Sequence, residues 1–167
     1  MSPSLSLRTA HRGDAPEVDA LLSRSYPTLL KPDYPPSAMV MAVPLLARGD
    51  PSLAASGRYY VAEIGGVMVG AGGWSFGNPH GGDMVEGLGH VRHLVVDPGY
   101  IHQGIGRRLM DRILRKSRAE GITRLECTST RTALAFFESA GFVAEEVTEL
   151  ELGAGIGLPA IKMTRDL

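Results

Sequence analysis

The chain has 167 residues, a length that suits one domain with a proper buried core. Hydrophobic residues make up 44%, charged residues 21%, and the formal net charge is −1, which excludes a general basic field for nucleic acid or an anionic membrane. One cysteine, Cys127, excludes an internal disulfide and fits a reducing compartment. With no charged-then-apolar leader before Arg8 and no apolar run of spanning length, a cytoplasmic protein is expected.

Residues 4–8 (SLSLR) read as a short strand. Asp14 stands as the N-cap of a first helix, with Pro16 in its first turn, Glu17 at the capping-box position and Val18, Leu21 and Leu22 facing inward. A proline-rich stretch with Tyr26 and Tyr34 follows, then an apolar helical patch broken at Pro44. Residues 58–75 form a hairpin around Gly65-Gly66, and Gly70, Gly72 and Gly73 mark a bend or a close approach in its second strand. Residues 76–89 (FGNPHGGDMVEGLG) have the composition of a mobile loop.

His80, Asp83, Glu86, His90 and His93 are metal-capable types close in sequence. They lack the H-E-x-x-H helical spacing, and His90 and His93, an odd number apart, are expected on opposite faces of a regular strand. No metal is expected.

The stretch from His90 to Gly121 organises the rest. Val91, Leu94, Val95 and Val96 supply a strand, and Asp97-Pro98-Gly99 breaks it. Gln103-Gly104-Ile105-Gly106 then opens a helix whose apolar face is Ile105, Leu109, Met110, Ile113 and Leu114, with Gly121 at its C-cap. The first turn of a helix carries unpartnered N–H groups and the positive end of the dipole. Two glycines give a phosphate access to those amides, and Arg107 and Arg108 add charge, so this is an anion site for a pyrophosphate. The dinucleotide fingerprint G-x-G-x-x-G is not met: Leu109 stands at the third glycine and the loop is too long, although Glu126 lies at the distance of a ribose-binding acid.

Residues 122–129 read as a strand parallel to the one before the helix. Ser129 or Thr130 caps a helix over 131–140 with Ala133, Phe136 and Phe137 inward, and strands over 142–152 and 158–163 flank the glycine-rich 153–157. The order predicts an α/β protein with a mixed, mostly antiparallel sheet and helices on both faces.

LVVDPGYIHQGIGRRLM (94–110) resembles the acetyl-CoA motif of the GNAT superfamily of N-acetyltransferases, and ALAFFESAGF (133–142) resembles its second motif. The resemblance covers roughly residues 58–167. It implies a single N-acetyltransferase domain over 1–167, with acceptor-side helices at about 14–56, the acetyl-CoA motif at about 90–121 and the second motif at about 122–142. Acetyl-CoA is then the acyl donor, lying where two parallel strands splay near Val96. Leu94, Val95 and Val96 would hold the pantetheine arm. Ile101, His102, Gln103, Gly104, Ile105, Gly106, Arg107 and Arg108 would surround the pyrophosphate, and Thr130, Phe136 and Phe137 would complete the donor site.

Two positions depart from the family pattern: Ile101 replaces its arginine or glutamine, and Phe137 replaces a tyrosine taken to protonate the leaving thiolate. His90 and Glu86 are the candidate bases. Tyr26, Tyr34 and Trp74 are candidates for the acceptor cleft, and Cys127 reads as core. The expected function is direct acetyl transfer to a primary amine of a small molecule or peptide, with a homodimer through the late strands as in many relatives. The alternative is an acyl-CoA-binding module or sensor of the same fold without significant turnover. On this reading Gly104→Val or Gly106→Val abolishes CoA binding in a folded protein, measured by titration; unaltered affinity in both would refute the phosphate loop.

Overall fold

The computed structural model describes residues 3–78, 81–153 and 155–167. Its strands are β1 (Leu5–Thr9), β2 (Tyr59–Ile64), β3 (Val67–Ser75), β4 (Leu88–Val96), β5 (Arg124–Thr130), β6 (Val143–Gly153) and β7 (Ile156–Asp166). Its helices are α1 (Ala15–Leu30), α2 (Pro36–Leu46), α3 (Pro51–Ala55), α4 (Ile105–Ala119) and α5 (Leu134–Ser139). The strands form one sheet in the order β1-β2-β3-β4-β5-β7-β6. All neighbours are antiparallel except β4 and β5, which run parallel because α4 crosses between them.

Strand alternation divides the core between the two faces. Ile105, Leu109, Met110 and Ile113 of α4 are fully buried against Tyr60, Trp74 and Leu125, and Phe137 of α5 joins the same cluster with Phe142 and Met163. On the other face Leu21 and Leu22 of α1 and Leu53 of α3 pack on Tyr59, Val61 and Ala71. Leu30, Tyr34, Ala42 and Leu46 form a third cluster with Leu158 of β7, which brings α2 beside the β6–β7 hairpin. Among the described residues no helix is long and apolar enough to cross a membrane.

Three local expectations are corrected. Asp14 does not cap α1 with its side chain. Its carboxylate instead receives both Arg8 nitrogens at 2.8 Å and the backbone N–H of His11 at 2.8 Å, closing a 3-10 turn over Arg12–Asp14. A buried carboxylate with a bidentate arginine within reach outcompetes the weaker amide cap. Nor does Pro44 break α2, which continues to Leu46. The proline sits in the last turn, where one lost bond is offset by burial of Ala42 and Leu46. The helix of the second motif starts later than expected, at Leu134, after a turn in which Ala133 N–H donates to the Thr130 hydroxyl at 3.3 Å.

The Arg8 guanidinium holds the buried Asp14 carboxyl at about 2 rather than 3.8. A depressed carboxyl contributes stability that is present above pH 4 and is lost as pH falls toward 2. Asp14→Asn is therefore expected to cost about 2 kcal/mol at neutral pH. The gap from the parent should close between pH 4 and pH 2 in denaturant titrations. A pH-independent difference would show that the ion pair is not its source.

Candidate functional site

The site begins where the sheet fails to continue. β4 and β5 pair at Leu88↔Arg124, Gly89↔Leu125 and His90↔Glu126, and go no further. On the other edge β4 follows β3 through Ser75↔His90, Trp74↔Val91 and Gly73↔Arg92, and then jumps to Ala71↔Val95. His93 and Leu94 thus stand opposite Gly72 alone, a bulge with His93 at φ 43°. Gly72 allows this close approach: a Cβ there would lie 2.5 Å from Leu94 Cδ1 and 3.2 Å from the Leu94 backbone, so the leucine would have to give way. Tyr59 fixes the bulge from below, its hydroxyl donating to the His93 carbonyl at 2.9 Å. The strands consequently part just beyond His90, earlier than the expected point near Val96.

Between them lies a cleft of about 380 Å³. Residues 90–94 of β4 and 126–130 of β5 form its walls, Tyr26 of α1 and Leu45 and Arg48 at the end of α2 close one side, and residues 150–152 of the hairpin close another. His90 and His93 both line it, against the expectation of opposite faces. The extra residue at the bulge resets the two-residue period, so His90, Arg92 and His93 share the side of the sheet that carries α1 and α3.

Burial pushes the His93 imidazole down to about 4, with Arg92 adding repulsion, so the ring is neutral near pH 7. His90 is buried and lies beside Glu126 on the adjacent parallel strand. Glu126 has the Lys162 ammonium 3.8 Å away. Tyr26 borders the cleft, and burial raises its phenol to about 12. Cys127 also borders it, but burial pushes its thiol up, which keeps it protonated and a poor nucleophile.

Two cleft candidates lie elsewhere. Trp74 is fully buried on the α4 face, paired with Val91, its indole N–H donating to the Tyr60 hydroxyl at 3.2 Å. Tyr34 is buried too; its hydroxyl donates to the Pro159 carbonyl at 2.7 Å and accepts from Arg131 N–H at 2.8 Å. It ties the end of α1 to β7 and to the turn before α5 instead of facing the cleft. Glu86 is exposed and outside the described cleft wall. Among the described residues no three metal-capable side chains come together, and His80 lies outside them.

The glycine loop is braced at its start. Asp97 accepts from Gly99 N–H at 2.9 Å and from Arg24 Nε at 2.7 Å, while Arg24 Nη2 donates to the Met68 carbonyl at 2.6 Å. Beyond the turn Pro98–Tyr100, exposed Ile101, His102 and Gln103 lead to Gly104, which enters α4 at φ 79°. A Cβ on Gly104 would meet nothing within 4 Å, so the space above the first turn is open. Gly106 serves a different end: a Cβ there would lie 3.1 Å from Phe136 and 3.7 Å from Val96, so it lets α4 press on α5 and the end of β4. Gly106→Val therefore disturbs packing, and Gly104→Val has room but strains the left-handed turn, so a side chain that tolerates that conformation, such as asparagine, gives the cleaner test of the loop. Arg107 donates to the Ser139 carbonyl at 3.0 Å, which turns it toward α5, and exposed Arg108 stands beside it as a second cation of that turn. Phe136, Phe137 and Phe142 stack edge to face at 5.6 and 5.3 Å, and Phe137 also borders the cleft.

Sequence reasoning missed Arg48, Arg92 and His93 as cleft residues. For His93 the strand glycine at position 72 was the available signal, since it marks a bulge that shifts the side chains after it.

Residues 55–144 match the family model of the acetyltransferase (GNAT) domain. Over 59 residues the chain is 36% identical to a glucosamine 6-phosphate N-acetyltransferase of Trypanosoma brucei brucei, which spans 35% of this chain and only 40% of that protein. A GCN5-related N-acetyltransferase from Rhodopseudomonas palustris shares the fold over 100% of this chain and 97% of its own, at 24% identity and a TM-score of 0.74. PaiA N-acetyltransferase from Thermoplasma acidophilum, solved in complex with coenzyme A, does so over 98% and 99% at 13% identity and a TM-score of 0.73. The family model takes in more than half of the chain, including the parted strands, the glycine loop and both motifs. This chain belongs to the GNAT acetyltransferase family.

Proposed function

We propose that this protein transfers the acetyl group of acetyl-CoA directly to a primary amine of a small molecule or peptide. The observation that carries this reading is the continuity of two features. The edge of β4 that β5 abandons after His90 runs straight into the open glycine turn at the start of α4, whose Gly106 lies against Val96. An extended pantetheine arm with its own amides suits the first feature as an added strand. A pyrophosphate suits the free amides of the second. Ile101 removes one cation from that loop, and Arg108 and the backbone remain to hold the phosphates.

In the reaction the amine nitrogen bonds to the thioester carbonyl carbon and the carbon–sulfur bond breaks. An amine of pKa near 10 must lose a proton first. His90, buried at the parting point, takes that proton, and Glu126 beside it accepts a hydrogen bond from the amine and orients it. A backbone N–H in the bulge stabilises the charge that gathers on the carbonyl oxygen. Phe137 supplies no proton, and none is required: a thiol of pKa about 8.5 leaves as the thiolate near neutral pH and is protonated by water. The trypanosomal relative, by its name an N-acetyltransferase acting on an amino sugar phosphate, supports an amine as acceptor.

A second reading, a CoA-binding module without turnover, is favoured by the phenylalanine at 137. Thiol release from acetyl-CoA on addition of primary amines separates the two, and release is expected. A calorimetric titration in parallel should show micromolar acetyl-CoA and CoA binding with NAD silent. Gly104→Asn, which tolerates the left-handed φ of 79° and puts a side chain into the open space above α4, is expected to weaken CoA at least tenfold while thermal unfolding shows a folded protein; unchanged affinity would remove the phosphate site. His90→Gln should lower kcat/KM by about a hundredfold or more and abolish the acidic limb of the pH–rate profile. Glu86→Gln should leave both untouched, and the reverse pattern would transfer the base to Glu86.

A further inference from the structure

The cleft is charged unevenly. Arg92 on β4 and Arg48 at the end of α2 stand on one side, and Glu126 on β5 and Glu151 on β6 on the others. The two arginines are lightly used by the protein itself. Arg92 donates to Ser75 Oγ at 3.3 Å and approaches Asp50 Oδ2 at 3.5 Å, both at the outer limit of a hydrogen bond. Asp50 is placed by another duty, since its other oxygen caps α3 by accepting from Ser52 and Leu53 N–H. Only 16% of the Arg92 side chain is exposed, and it lines the cleft in a partly dry setting. Arg48 is exposed and makes no ion pair among the described residues. A planar guanidinium fork is matched by a carboxylate or a phosphate and by little else of small size.

We infer that the acceptor is an amine that also carries an anionic group, a carboxylate or a phosphate, gripped by Arg48 and Arg92 while its amino group faces His90 and Glu126. The inference rests on the transferase reading above and adds the class of acceptor. The two cations sit on the α2–β4 side and the groups suited to an amine sit at the β4–β5 parting, so one molecule with opposite ends spans the cleft. A plain aliphatic amine would satisfy the second set and leave Arg48 without a counter-charge and Arg92 with only the Asp50 carboxylate at 3.5 Å.

The test uses matched pairs: glucosamine 6-phosphate against glucosamine for phosphate, and alanine against alaninamide for carboxylate. Binding to the CoA-saturated protein is read by calorimetry and turnover by thiol release. At least one anionic member should bind ten times tighter or more than its uncharged partner, and the pair that responds identifies the anion. Arg48→Gln and Arg92→Gln should each raise KM for that acceptor at least tenfold with kcat little changed and KM for acetyl-CoA unaltered, and the lysine variants should recover part of the loss. Equal binding within both pairs, or no binding by either anionic member, overturns the inference. So does an unchanged KM in the glutamine variants. Selective, arginine-dependent binding with no thiol release would uphold the anion site and refute the transferase reading instead.

Discussion

A β-strand can bond to neighbours on both edges only while its register holds, and one extra residue in β4 breaks that condition. The bulge at His93 and Leu94 turns the strand away from β5 immediately after His90. The candidate site follows from the parting. The abandoned strand edge, the cleft beside it and the shared orientation of His90, Arg92 and His93 are consequences of the same displaced register. A left-handed histidine costs on the order of 1–3 kcal/mol. Its surroundings offset that cost: Tyr59 holds its carbonyl and Gly72 makes room for the residue that follows.

The rest of the fold holds the gap open. α4 seals one face of the sheet with an unbroken apolar stripe, and its first turn lies against the last residue of β4 through Gly106. Arg24 reaches from α1 to Asp97 and Met68, fixing the start of the glycine loop to the opposite face. Tyr34 ties α1 to β7, and the α2 end and hairpin tip thereby become walls of the same cleft. The glycine loop is thus clamped from both faces while its mouth stays clear.

Much of this was legible before the structure. The strand, loop and helix from His90 to Gly121 are written in β-branched residues, two glycines and a helical stripe, and local chemistry decides all three. The faces of individual side chains were not legible, because they depend on a bulge whose register is set by packing. His93 moved onto the cleft face for this reason, whereas Trp74 fell on the core face through ordinary alternation and its pairing with Val91. Tyr34 and Asp14 were misread differently: each found a long-range or charged partner stronger than the local role its sequence position suggested. Arg48 and Arg92 carried no local pattern at all, and only the cleft that both line makes them a pair.

Hydrogen–deuterium exchange with and without acetyl-CoA tests the central claim most directly, because it reports on backbone amides. If the donor occupies the abandoned edge of β4 and the glycine turn, amides of residues 94–96 and 103–107 should slow markedly on binding, while those of the β1–β2 pair should not change. Binding without slower exchange at both segments would place the donor elsewhere and contradict the account.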